Sequence, residues 1–516
     1  MKKINQWTSY ELAAQMVFPR LLVKSYLENV DYKSRITKLV SEGIGGFCIF
    51  GGNVEENIKV TNELQIFAEI PLLFCGDFEN GISMRLSEGT EFPHMMALGA
   101  AGKTEYTKKC AALIALEAKV IGAHWNLAPV ADINNNPQNP VINVRSFGDT
   151  SDIVSQNVKA YIEGTQNEKV LACVKHFPGH GNTVINSHLD LPVLNLTRDE
   201  LEKNEFIPFK TAIAQGVKSI MVGHLVISDL DKSNLPATLS KNIITGILKD
   251  EMGFDGLVVT DALEMKAITE NYSDEEIAEL SVKAGNNVLL MPANDEHLIE
   301  LIAKLADENT DYRSLLINSC EKIIAEKRWT GIMPQYHRED MNSNLFTEHP
   351  YKALKYAYYA LKTEGDDSLI PLKDIKSLAV FSLLQRSENF DKASQFMKML
   401  GDATEFDIDF GYLDENLELE HLKEIQKTIF ETELILFPIF FRNFTEAKEV
   451  TLPENLKKAI DILSGGRKSI LVFFGSPYFA NDLNADTRIL TYSDSYASIA
   501  AVVVKLSDRS IDWIED

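Results

Sequence analysis

Seven short, largely apolar, strand-like runs punctuate the first three hundred positions: GGFCIF (45–50), IPLLFC (70–75), AHWNLAPV (123–130), VLACV (170–174), VKSIMV (217–222), GLVVT (256–260) and NVLLM (287–291). A strand apolar at every position must be covered on both faces, which is the condition of a parallel sheet wrapped by helices. Helix-like segments separate the runs. The rhythm predicts an α/β fold beginning with a (β/α)8 TIM-type barrel, which takes ~250 residues plus insertions. Seven strands are clear; AAQMVFPRL, near residue 15, reads equally as helix or strand, so the eighth is left unplaced. A long helical stretch over 296–328 follows, and then the polar RWTGIMPQYHREDMNSNLFTEHP, with two prolines, reads as a linker. Strand-like runs resume at 377–383, 403–410, 434–441, 468–475 and 487–493. The expected organisation is therefore a barrel over 1–335, a linker over 336–365 and a smaller open α/β sandwich over 366–516. The segment SGGRKS (464–469) in that second domain has neither GxGxxG nor Walker spacing, so no phosphate-cradling loop is expected.

Charge narrows the partners. With 51 Lys and Arg against 75 Asp and Glu, the net charge is −24, and no basic block offsets it. Nucleic acid would be repelled. No apolar run approaches the ~20 residues needed to span a bilayer, so no membrane partner is expected. The N-terminal MKKINQWTSYELAAQ lacks the continuous apolar stretch of a signal peptide, and a cytoplasmic location is the expectation. The five cysteines, Cys48, Cys75, Cys110, Cys173 and Cys320, are odd in number and widely spaced, as suits buried free thiols.

In such barrels the chemistry sits at the carboxyl ends of the strands. Five of the seven runs end there in ionisable groups: Asp77, Asp132, Lys175 with His176, His224 and Asp261. Asp261 closes GFDGLVVTDALEM, where it reads either as a catalytic carboxylate or as the N-cap of a following helix. In VKHFPGHGNTVINSH (174–188), Pro178, Gly179 and Gly181 forbid a regular helix, so His176, His180 and His188 form no helical metal face. HExxH and CxxC are absent, and no metal is expected. The glycines allow close approach of backbone to a ligand, which makes the segment a substrate wall. Arg85 in CGDFENGISMRL and Arg145 in NPVINVRSFG lie in loops after strands and read as ligand contacts or as surface pairs.

Four segments, GDFENGISMR, NLAPVADINNNPQNPVINVRSFG, VKHFPGHGNTVINSHLDLP and LKDEMGFDGLVVTDALEM, resemble the signature blocks of glycoside hydrolase family 3, and within it the NagZ-type β-N-acetylglucosaminidases. The resemblance covers about 330 residues in order, and FFGSPYF (473–479) is similar to the second domain of the two-domain branch. It implies that Asp261 is the nucleophile, that His188 is the general acid/base, and that Asp77, Arg85, Arg145, Lys175 and His176 bind the sugar. It also implies a small GlcNAc-containing carbohydrate substrate and no cofactor. The branch pattern is Asp-Ser-His; this chain has Asn186, Ser187, His188. A neutral amide orients an imidazole but stabilises an imidazolium poorly, and in a serine-protease triad the same exchange costs ~10⁴ in rate. Asp190 is a candidate substitute. Three readings follow: a retaining hydrolase acting on muropeptide fragments or chitooligosaccharides, a retaining phosphorylase, or a sugar-binding relative with impaired catalysis. A β-glucosidase fits less well, because that branch takes its acid/base from the second domain.

Overall fold

Pro19 splits the first strand of the barrel. It has no N–H to donate, so the chain forms a two-residue strand β1 (Val17–Phe18), skips one position, and resumes as β2 (Arg20–Leu22). The ambiguous segment near residue 15 is thus both things at once, a helix (Ser9–Met16) running directly into a strand. The remaining staves are β3 (Gly46–Phe50), β4 (Leu73–Gly76), β5 (Ala123–Asn126), β6 (Leu171–Phe177), β7 (Ser219–Val222), β8 (Leu257–Thr260) and β9 (Leu289–Leu290). All pair in parallel in the order β2-β3-β4-β5-β6-β7-β8. The ring closes through a parallel bridge from Val259 to Val288 and the pairing of β9 with β1. These relations come from a computed structural model, which describes residues 2–181, 191–333, 345–373, 375–384, 389–441 and 452–514.

The described chain forms two compact units. The first comprises Met1–Thr90, Thr104–Ile142 and Asp149–Phe346; the second comprises Glu91–Lys103, Asn143–Gly148 and Thr347–Asp516. In the first unit the lumen is filled, not hollow. Phe18 of β1 meets Trp125 of β5 edge to face with centroids 5.7 Å apart, and the Trp125 indole N–H donates to Ser219 Oγ at 2.8 Å. Outside the ring, the helical stretch expected over 296–328 is two helices, Asp295–Glu308 and Thr310–Trp329. Asn309 separates them because its extended backbone ends one helix while its side chain accepts from Asp311 N and Tyr312 N to start the next. Among the described residues no helix is long and apolar enough to cross a membrane.

The second unit contains a six-stranded sheet: β10 (Lys362–Gly365), β11 (Ser377–Leu384), β12 (Asp407–Leu413), β13 (Leu434–Phe441), β14 (Lys468–Gly475) and β15 (Thr487–Leu490). Its order is β10-β15-β14-β13-β11-β12, parallel except for β10. Alternate residues of the central strands feed separate cores: Phe381, Ile435, Phe437 and Phe473 on one face, Val380, Leu436, Phe440 and Phe474 on the other. The stretch expected as a linker contains a helix (Leu345–Ala360) and β10. The helix carries Ala353, Tyr356, Ala357 and Ala360 on its buried face, a 3.6-residue period that Pro350, inside the helix, obscured. The run expected over 403–410 pairs as Asp407–Leu413 because the preceding helix extends through Ala403.

Candidate active site

Every residue of β6 is buried, and that strand includes a lysine and a histidine. An ammonium group in such a place must be paired, since burial of an isolated charge is prohibitive. Lys175, 2% exposed, meets this condition with two carboxylates: its Nζ lies 2.8 Å from Asp77 Oδ1 and 2.8 Å from Glu79 Oε1. Asp77 follows β4 directly, and its second oxygen accepts from Arg85 Nη2 at 2.6 Å. Burial drives the Asp77 carboxyl upward, but Lys175 and Arg85 outweigh that and hold it far below the usual carboxylate range. The result is a fixed alternation of charge, Glu79–Lys175–Asp77–Arg85, along the carboxyl end of the barrel.

The next residue begins a second cluster. His176 donates its backbone N–H to Asp132, and its ring Nδ1 lies 2.7 Å from Asp132 Oδ2. A carboxylate only accepts, so Nδ1 carries the proton and Nε2 is the ring atom left for other work. The same carboxylate accepts from His180 N at 2.7 Å. Asp132 therefore ties down both sides of the Phe177–Pro178–Gly179 turn. Burial would raise its carboxyl, yet His176 and His180 hold it low. Two glycines make the turn possible. Gly181 lies so close to Ile133 that a Cβ would stand 1.7 Å from its carbonyl oxygen, and Gly179 has φ +130° against Glu205. Burial lowers His180 to about 4, so this ring is neutral near pH 7.

Asp261 follows β8. Its backbone N–H donates to Val222 O at 2.9 Å, and its Oδ1 accepts from the adjacent Ala262 N at 2.8 Å. No helix starts there; the next, Lys266–Thr269, has Met265 at its cap, so the capping reading falls away. Burial favours the neutral acid, whereas His176, His224, the Ala262 N–H and Lys175 favour the anion, and the net displacement is downward. Asp261 is partly exposed and ionised. His224, whose pKa burial lowers, stands beside it. Because Ala262 O can only accept, His224 Nε2 donates to it at 3.0 Å; Nδ1 lies 2.8 Å from Thr238 Oγ1, whose hydroxyl donates to Gly223 O at 2.9 Å.

Of the residues singled out in the sequence, Asp77, Arg85, Lys175, His176 and Asp261 thus share the mouth of one barrel. Arg145 ends a 3-10 turn (Asn143–Arg145) that belongs to the second unit. His188, Asn186 and Asp190 lie outside the described residues. Glu79 was missed, although it stands two positions after Asp77 in GDFEN. Asp132 and His224 were noted only as strand ends; their roles as the anchor of His176 and the neighbour of Asp261 are tertiary facts. Among the described residues no three His, Cys, Asp or Glu side chains are grouped to hold a metal ion.

Residues 11–325 match the family described as Glycosyl hydrolase family 3 N terminal domain. The chain belongs to glycoside hydrolase family 3. Among curated relatives in the family, beta-hexosaminidase A of Pseudoalteromonas piscicida is 31% identical over 373 residues, 66% of this chain and 62% of that protein. The beta-N-acetylglucosaminidase/beta-glucosidase of Cellulomonas fimi is 29% identical over 279 residues, 52% of this chain and 49% of that protein. The chain thus spans about half to three fifths of the length of these two relatives. A solved family 3 beta-N-acetylglucosaminidase from Paenibacillus sp. str. FPU-7 superposes with a TM-score of 0.82 at 28% identity, covering 98% of this chain and 97% of that one.

Proposed function

We propose that this chain is a retaining exo-β-N-acetylglucosaminidase that removes terminal GlcNAc from muropeptide fragments or chitooligosaccharides in the cytoplasm. The observation that carries the reading is Asp261: a carboxylate at a strand end, kept anionic against burial by His176, His224, a backbone N–H and Lys175. An anion so placed is a nucleophile for an anomeric carbon. Attack forms the C1–O bond to Asp261 as the bond to the leaving oxygen breaks, and water then cleaves the ester with overall retention. Asp77, locked between Lys175 and Arg85, accepts from sugar hydroxyls with little reorganisation, and Lys175, Arg85 and His176 Nε2 complete the sugar-binding set. Arg145 joins that set by resemblance. His188 protonates the leaving oxygen and deprotonates water, with Asn186 orienting its ring. No cofactor enters these steps. The names of the relatives support the sugar: a beta-hexosaminidase, a beta-N-acetylglucosaminidase/beta-glucosidase and a beta-N-acetylglucosaminidase.

The test is release of phenol from an activated aryl β-N-acetylglucosaminide, with Asp261→Asn alongside. Loss of ~10⁴ or more in kcat/KM, together with a GlcNAc adduct on the 253–265 peptide of the trapped wild type, is expected. Equal rates in both proteins would remove Asp261 from the mechanism. Adding inorganic phosphate separates the acceptors. If phosphate oxygen attacks C1, the ester to Asp261 breaks and N-acetylglucosamine 1-phosphate appears in place of free GlcNAc.

A further inference from the structure

Phe50, the last residue of β3, has two guanidinium groups against its ring. Arg85 lies 5.0 Å from the centroid and Arg20 4.5 Å. Arg85 is committed to Asp77. Arg20 is not accounted for by the sugar-binding set. It opens β2, its side chain is 42% exposed, and one of its terminal nitrogens, Nη2, forms an ion pair with Glu264, three residues beyond the nucleophile Asp261. Its Nε and Nη1 have no protein partner among the described residues. The side chain thus bridges the Asp77–Arg85 segment, through Phe50, to the Asp261–Glu264 segment.

We propose that Arg20 is an oxyanion-recognition residue at the mouth of the site, taking either a carboxylate on the leaving sugar or the phosphate of an acceptor. The inference rests on the glycosidase reading above for its place beside Asp261. Three physical points support it. The guanidinium is held by the aromatic face and by Glu264, so little freedom is lost when it engages a ligand. Its Nε and Nη1 hydrogens remain to donate to a carboxylate or a phosphate, and the second hydrogen of Nη2 completes a planar fork with either one. A chain of net charge −24 repels anions at long range, so an anionic substrate needs a local cation at the point of entry. Glu264 competes with that anion for the guanidinium and tunes its affinity.

The test uses the full chain with two readouts. In calorimetry, N-acetylmuramic acid and inorganic phosphate are titrated, with N-acetylglucosamine as the neutral control. In kinetics, kcat/KM for GlcNAc linked to N-acetylmuramic acid is divided by that for chitobiose. Arg20→Met keeps an apolar contact for Phe50, and Arg20→Met/Glu264→Gln avoids stranding the glutamate; both should weaken anion binding and lower the ratio at least tenfold. Arg20→Lys should retain part of it. Glu264→Gln alone should move the other way, tightening anion binding about threefold, which a merely structural pair would not do. Binding of N-acetylmuramic acid alone assigns the leaving-group side; phosphate binding with phosphate-stimulated turnover assigns the acceptor. A ratio that shifts less than twofold, with anion binding indifferent to Arg20, overturns the proposal. If the wild type cleaves neither disaccharide yet binds anions through Arg20, the glycosidase reading fails and the anion site stands.

Discussion

Strands β6 and β13 are the same solution to the same backbone problem: each is a parallel strand buried at every position. They differ in what their carboxyl halves hold. β13 ends in Pro-Ile-Phe-Phe, and its side chains alternate between two apolar cores. β6 ends in Lys-His-Phe, and its charges survive only because Asp77, Glu79 and Asp132 come from the segments after β4 and β5 to meet them. Packing tolerates approximate partners, whereas a buried ammonium needs its carboxylates within hydrogen-bond reach. An apolar strand therefore reports on stability, and an equally buried strand carrying paired charge reports on function.

Lys175→Met should produce the largest combined effect. It withdraws the ammonium shared by Asp77 and Glu79, costing ~3–5 kcal/mol in denaturant unfolding and nearly all turnover. Lys175→Met/Glu79→Gln should recover part of the stability without the turnover. If both return together, the cluster is scaffolding and the contrast with β13 collapses. Phe437→Ala supplies the reverse signature. Loss of a fully buried ring should cost ~3–4 kcal/mol while kcat at a permissive temperature changes less than twofold, measured on the aryl glycoside.

A smaller effect appears with pH. His180 falls from 6.5 to about 4 on folding because it is buried. The unfolded chain therefore binds the proton that the folded chain refuses, and stability declines as pH drops from about 6.5 toward 4, by up to about 3 kcal/mol. His180→Asn should flatten that slope in melts between pH 4 and 7. The depressed Asp77 and Asp261 act lower, their contribution being lost only below about pH 4. An unchanged slope in the variant would show that another group titrates in the upper window.

What was legible in the sequence follows from the same contrast. The barrel strands showed because their runs are largely apolar, and Asp77, Lys175, His176 and Asp261 showed because those runs end abruptly in ionisable groups. Glu79 was invisible because its reason for being there is Lys175, ninety-six positions away (175 − 79), and a second acidic residue two positions after Asp77 reads as ordinary loop. Arg145 lies within the barrel's stretch of sequence, but its segment groups with the second unit, a property of contacts that no local pattern encodes. β10 reads KTEG, with no apolar residue to mark it, and exists because β15 offers an edge to pair with.

The five cysteines are all buried, and burial raises the pKa of Cys75, Cys110, Cys173 and Cys320. In the native protein none of the five is exposed to an alkylating reagent. A single cysteine introduced at Val193, which is 52% exposed, would therefore label ahead of every native thiol. A fluorophore or spin probe could be attached there, at a site of the experimenter's choosing, without first stripping the chain of its own sulfur.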